Sequence, residues 1–122
     1  MRLPKFMLMA ACASCSSGIA QAAEWDTEQK AMGAVLATVT AVDFLQTRFI
    51  ATHPEFYERN PIIGKHPSIG RVNNYFALSY LIGFLVLDAL PSEYRTAALK
   101  AGIVLETVVV GHNMSIGVGL RF

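Results

Sequence analysis

Hydrophobic residues fall in three long runs that short polar stretches separate. The runs cover residues 31–47, with an extension to 51, residues 72–90 and residues 101–120. None of them shows the wide polar stripe of a soluble amphipathic helix. A membrane-spanning helix needs about 20 mostly apolar residues. The pattern therefore predicts an all-α fold in which three helices form a membrane bundle.

Polar residues at the ends of the runs predict where the helices begin. Asp26 and Gln29 have the three-residue spacing of a capping box, so the first helix is predicted to start there. Ser68 and Ser92 precede the second and third runs, and their hydroxyls can cap free N–H groups. Residues 91–100 begin with a proline, which ends a helix, and are predicted to form a loop.

Residues 1–22 have the pattern of a cleaved signal peptide. A basic start is followed by a short apolar stretch and by the small-x-small sequence Ala20-Gln-Ala22. Cleavage after Ala22, or one residue later, leaves residues 23–122 as a single membrane-embedded domain. Two alternatives stay open, namely a retained first helix and lipid attachment at Cys12 or Cys15. Cleavage removes both cysteines and with them any thiol chemistry.

Composition and charge placement favour a membrane location. The chain is 53% hydrophobic and 16% charged, with a net charge of +1, whereas soluble domains are about 25% charged. The lipid bilayer is the predicted partner, and there is no basic face for nucleic acid. The loop of residues 48–71 carries four Lys or Arg residues, and residues 24–30 carry one. Basic loops stay cytoplasmic, which predicts the bacterial inner membrane with the mature N-terminus outside.

Polar side chains inside the first run share one helix face. Asp43, Gln46 and Thr47 stand at i, i+3 and i+4. An ionised group in hydrocarbon costs at least about 2.5–3.5 kcal/mol, so such residues are expected to face the bundle interior. Gly83 and Gly102 permit close packing, which fits a homo-oligomer or a membrane-protein partner.

A second polar set comes from the third run and the loop before the second. Glu106 and Asn113 are seven residues apart on one face, with His112 beside them. In the loop, Asn60 is predicted to cap a short turn that a left-handed glycine ends. Glu58 is expected to close the polar face of the first helix from the loop side.

These residues form a candidate cluster for binding, ion or proton linkage, or partner regulation. The competing interpretation is that they only join helices by hydrogen bonds. Two acids, an imidazole and amides could hold a hard cation or zinc, but the spacing matches no strong motif, so the metal question stays open. A membrane-embedded hydrolase or transferase using Asp43, Glu58 and His112 is a further alternative. The chain lacks a recognisable nucleophile motif, so an enzyme is not the favoured prediction.

The tail supports a different alternative. Residues 114–122 alternate strictly between apolar and polar or glycine positions and end in Phe122, which is strand periodicity. A small outer-membrane protein with a C-terminal strand is therefore a second interpretation. An intermediate version ends the third helix near Gly111 and leaves the tail extended. A soluble periplasmic helical bundle would need more polar faces than the runs offer.

The motif Asp43-x-x-Gln-Thr47 followed by Glu58-x-Asn-Pro-Ile-x-Gly64 resembles a group of small bacterial and phage-associated membrane proteins. The likeness extends from Asp43 through most of the remaining chain. It implies a compact three-helix membrane protein and favours treating Asp43, Glu58 and Asn60 as one constellation. It implies no activity, cofactor or substrate.

Overall fold

Three α-helices make up the chain over residues 24–120, the part that the computed structural model describes. They are α1 (Thr27–Thr52), α2 (Ile69–Ala89) and α3 (Ser92–Ser115). The described residues contain no strand, which confirms the predicted all-α class. The predicted signal segment, its cleavage site and both cysteines lie outside the described residues.

The predicted starts of the first two helices are confirmed. Asp26 accepts a hydrogen bond from the Gln29 backbone N–H at 2.7 Å, and the Gln29 side chain accepts one from the Asp26 N–H at 3.3 Å. Before α2, Ser68 Oγ accepts from the Arg71 N–H at 3.2 Å. Each side chain satisfies a donor that the helix itself leaves free.

The loop predicted for residues 91–100 is wrong, because residues 92–100 form the first turns of α3. Only Leu90 and Pro91 separate α2 from α3, and Ser92 is helical and makes no capping bond. Alanine, leucine and lysine between positions 97 and 101 are strong helix formers. Glu93 and Lys100 lie on the exposed face of this helix, whereas Arg95 is buried.

The tail is neither a strand nor a continuation of the third helix, so the predicted run to residue 120 is also wrong. The helix ends at Ser115 in a Schellman motif. The Gly117 N–H donates to Met114 O at 3.2 Å, and the Val118 N–H donates to Asn113 O at 3.1 Å. Gly117 has a φ of 95°, and the side chain of Val118 is fully buried. The apolar alternation comes from glycine turns, and Phe122, on which the outer-membrane interpretation also rested, lies outside the described residues.

Two of the three helices are long and apolar enough to cross a membrane. These are α1 and α2, in which 22% and 17% of the residues of the most apolar window are buried. A core helix of a soluble protein would bury most of such a window. Among the described helices α3 does not meet the same test, since it carries Glu93, Arg95, Lys100 and Glu106.

The helices do not pack equally on one another. Most of the packing of α1 is against α3, less is against α2, and α2 and α3 contact each other least. The close approach of α1 and α3 depends partly on Gly102, where a Cβ atom would stand 3.2 Å from Leu36. The weak contact between α2 and α3 leaves a cleft between them.

A buried arginine joins the three helices at the end opposite the loop. Arg95 is completely buried, and its guanidinium donates to the carbonyl oxygens of Leu87, Asp88 and Leu90 at 2.8–2.9 Å. These carbonyls lie in the last turn of α2 and at its C-cap Leu90, where a helix leaves carbonyl groups without a full set of backbone partners. The charge therefore lies against the negative end of the helix dipole.

Three residues at and just before the start of α1 complete this Arg95 cluster. The arginine also donates to Glu24 O and to Gln29 Oε1, and its guanidinium lies 5.0 Å from the centroid of the Trp25 ring. The Gln29 amide donates in turn to Ser92 O and Ser92 Oγ, both at 2.9 Å. One side chain thus ties the start of α1, the end of α2 and the start of α3 together.

We expect Arg95→Met to lower the free energy of unfolding by about 3–5 kcal/mol, because it leaves buried carbonyls without donors. Methionine keeps most of the aliphatic volume, so the loss reports the hydrogen bonds. Thermal unfolding of the purified protein in detergent, followed by circular dichroism, measures it. Lys100→Met, at an exposed position of the same helix, is the control and should melt like the parent. Equal melting of both variants would contradict the assigned role.

Candidate functional site

Seven of the eight residues predicted to form the polar cluster line one cavity of about 540 Å³, here called the polar cavity. It lies between the three helices at the loop end of the bundle. The eighth residue, Gln46, is fully buried and bonds to a residue of the cavity wall. The seven lining residues are Asp43, Thr47, Glu58, Asn60, Glu106, His112 and Asn113.

Helix geometry places the two deepest carboxylates at the same level. Asp43 is nine residues before the end of α1, and Glu106 is nine residues before the end of α3. At a rise of 1.5 Å per residue, both lie about 14 Å from the loop end of their helices. His112, three residues before the end of α3, lies only about 5 Å from that end. The cavity therefore runs inward from the loop.

A largely buried amide network closes one side of the cavity. Asn113 Nδ2 donates to Gln46 Oε1 at 3.1 Å and to Asp43 Oδ1 at 3.3 Å. Gln46 Nε2 donates to Gly119 O at 2.7 Å. The network joins α1 to α3 and to the folded-back tail, so these bonds are structural as well as part of the cavity wall.

The loop residues that line the cavity are held in a turn by hydrogen bonds within the loop. Glu58 bonds to Lys65 across the loop, its N–H donating to Lys65 O at 2.8 Å, and Glu58 Oε1 accepts from the Asn60 N–H at 2.8 Å. Asn60 Oδ1 accepts from the Ile62 N–H at 3.0 Å, and Asn60 O accepts from the Gly64 N–H at 3.1 Å. Gly64 has a φ of 83°, so the predicted capped turn is confirmed.

Glu106 differs from its neighbours in its hydrogen bonding. Its Oε2 atom is buried and has no hydrogen-bond partner among the described residues. A buried polar group without a partner is destabilising, by about 1–3 kcal/mol in mutational data. At the loop end, Arg59 Nη1 lies 3.4 Å from His112 Nε2. The cavity thus has a cationic group near its loop end and carboxylates deeper inside.

Sequence reasoning missed the part of the wall that α2 provides. Tyr75, Phe76 and Ser79 line the cavity, as do Thr40 and Arg59 from the other side. The aromatic residues stand edge to face, with ring centroids 5.3 Å apart. Their i, i+1 and i+4 spacing falls on one side of α2. The signal for this face was Ser79, the polar residue one turn beyond the aromatic pair in an apolar run.

No group of three or more His, Cys, Asp or Glu residues suited to a metal ion exists within residues 24–120. Asp43 and Glu106 line the same cavity as His112, but they do not form a ligand set. Comparison of the chain with protein-family models, curated proteins and solved structures finds no match.

We expect Asn113→Ala to destabilise the fold by about 1–3 kcal/mol, because it leaves Gln46 Oε1 without its donor in a buried place. Thermal unfolding in detergent measures the change. Asn74→Ala removes the same side chain from an exposed position of α2 and should have little effect. A loss of stability no greater for Asn113→Ala than for Asn74→Ala would show that the amide network does not hold α1 against α3.

Proposed function

We propose that the chain is a small integral membrane protein whose polar cavity binds a ligand within the membrane. The observation that carries this proposal is the inverted distribution of polarity. Buried side chains within residues 24–120 include seven hydrophobic and six polar or charged ones. Large apolar side chains cover the outside instead, which in water marks an interaction surface and in lipid is the ordinary arrangement.

The exposed apolar surface runs along the two helices that flank the cleft. On α2, Leu78, Leu81, Ile82 and Leu85 are all more than half exposed, and on α3 Val104, Leu105 and Val108 are too. A soluble helix would turn these faces inward. Hydrocarbon chains of lipids are a suitable neighbour for all of them. We therefore place all three helices in the bilayer, including α3 despite its charged first turns.

Two features favour binding over a purely structural role for the cluster. Structural polar groups are satisfied by one another, as in the Gln46–Asn113 network. Glu106 is instead half-buried, its buried Oε2 atom has no hydrogen-bond partner among the described residues, and the side chain lines a cavity large enough for a small molecule. A group kept at the expense of stability is typical of a functional site.

The charge distribution supports an orientation in the bacterial inner membrane. Arg48, Arg59, Lys65 and Arg71 lie at the loop end of the bundle. At the opposite end Arg95 is buried, and the segment before α1 is acidic. Under the positive-inside rule the loop end is cytoplasmic and the mature N-terminus lies outside.

Single cysteines test the membrane location, in a chain carrying Cys12→Ser and Cys15→Ser. Leu81→Cys, Val108→Cys and Tyr57→Cys replace side chains that are 59%, 65% and 56% exposed. We expect a charged maleimide to label Tyr57→Cys in opened membrane vesicles and to spare the other two, because lipid covers them. All three should react after denaturation. Equal labelling of the three native variants would refute the membrane location. A separate comparison of labelling in inverted vesicles and in spheroplasts reports on which side of the membrane position 57 lies.

Replacement of Glu106 separates a binding site from a structural cluster. We expect Glu106→Met to raise the free energy of unfolding in detergent by about 1–2 kcal/mol, because it removes an unsatisfied buried oxygen. Lys100→Met, at an exposed position of the same helix outside its first turn, is the control. Destabilisation by Glu106→Met beyond that of the control would mean that Glu106 holds the helices together, and the binding proposal would lose its main support.

A further inference from the structure

A second cavity continues the polar cavity along the cleft between α2 and α3. It has a volume of about 230 Å³ and is mostly apolar, with Leu36, Phe84, Leu87 and Leu105 among its walls. Three residues, Thr40, Ser79 and Glu106, line both cavities. We call this second part the apolar groove. Polar cavity and apolar groove meet at the unpartnered carboxylate of Glu106.

The walls of both parts reach the outside between the two helices. Leu105 of the groove and Val108 of the polar cavity are 67% and 65% exposed, and α2 and α3 contact each other least of the three helix pairs. In the proposed membrane setting, that opening faces the lipid chains. A molecule could thus enter sideways from the bilayer.

We propose that the site takes a single-chain amphiphile with a primary ammonium head. Its hydrocarbon chain lies in the apolar groove, and its ammonium group lies at Glu106 and Asp43. This inference rests on the proposed membrane location and binding site, and it names the ligand class.

Charge and aromatic groups point to a cation at the junction. Three carboxylates line the polar cavity, at Asp43, Glu58 and Glu106, against one arginine. An ammonium group donates charge-assisted hydrogen bonds to carboxylates, and it would supply the partner that Glu106 Oε2 lacks. Tyr75 and Phe76 line the same space, and aromatic faces attract cations.

The order of groups along the cleft restricts the chemistry further. From the loop end inward come Arg59 with His112, then the two deep carboxylates, then the apolar groove. The cationic group of the ligand must therefore be attached directly to the chain, since Glu106 lines the groove as well as the polar cavity. A lipid with a phosphate between chain and amine would place its phosphate against Glu106, where like charges repel.

Three photoreactive probes test the proposal. They share one diazirine-bearing alkyl chain and end in an ammonium, a hydroxyl or a carboxylate group. The full chain is reconstituted in phosphatidylcholine vesicles, and labelled residues are mapped by mass spectrometry. We expect the ammonium probe to label residues of the groove about tenfold more than the other two, which corresponds to about 1.4 kcal/mol.

Matched variants identify the two halves of the site. Asp43→Asn with Glu106→Gln keeps the shapes of the side chains and should abolish the preference for ammonium. Gly83→Leu should block labelling, because a side chain there fills the groove and a Cβ at Gly83 meets nothing within 4 Å. Gly111→Leu is the control, since its position is equally open, exposed and outside both cavities.

Each outcome decides a separate point. Equal labelling by the three probes, or a preference that survives the double neutralisation, overturns the ammonium assignment. Ethylamine has an ammonium group but almost no chain. If an excess of it prevents labelling by the ammonium probe, the hydrocarbon chain is not required; the proposed amphiphile is then overturned and a simple cation site remains. The cysteine labelling described above decides the membrane location independently, so failure of the ligand proposal is distinct from failure of the proposed function.

Discussion

The buried guanidinium of Arg95 is the interaction on which the arrangement of the helices depends. It donates to the carbonyl oxygens of Leu87, Asp88 and Leu90, where α2 ends two residues before α3 begins. The same group reaches the backbone and side chain at the start of α1. An ionised group without water is stable only with partners of this kind. Arg95 belongs to α3, and its partners lie at the end of α2 and at the start of α1, so the three helix ends are fixed relative to one another.

The opposite end of the bundle is held by different means. There the contacts run from α1 to α3 and the tail through Gln46 and Asn113, and α2 takes no part in this network. Its link to α1 at this level includes the bond from Arg48 to Asn73. Since α2 and α3 are joined tightly only near Arg95, the space between them can remain open further along. The polar cavity and the apolar groove occupy that space.

The sequence was sufficient for the parts of the structure that local chemistry decides. Asp26, Ser68 and Gly64 act where capping and turn rules place them, and the spacing of Asp43 and Thr47 put both on one face. The same reasoning failed at residues 91–100 and in the tail. Charge predicted a loop at residues 91–100, but strong helix formers continue the helix there and Arg95 is buried by contacts with α1 and α2. Alternation predicted a strand in the tail, but Gly117 ends α3 in a Schellman motif and turns the chain so that Val118 becomes buried.

The sequence was enough to predict which residues belong to the candidate site, but not how they are arranged. Polar residues inside apolar runs are few, and each is costly in lipid, so seven of the eight candidates line one cavity. Sequence spacing could not predict which of these side chains form hydrogen bonds with one another. Asn113 and Gln46 are paired, whereas an oxygen of Glu106 is not. Under the proposed function, that difference divides one cluster into a structural part and a part available to a ligand. The apolar wall beyond Glu106 then restricts what such a ligand can be, because a charge at that point must be followed by hydrocarbon.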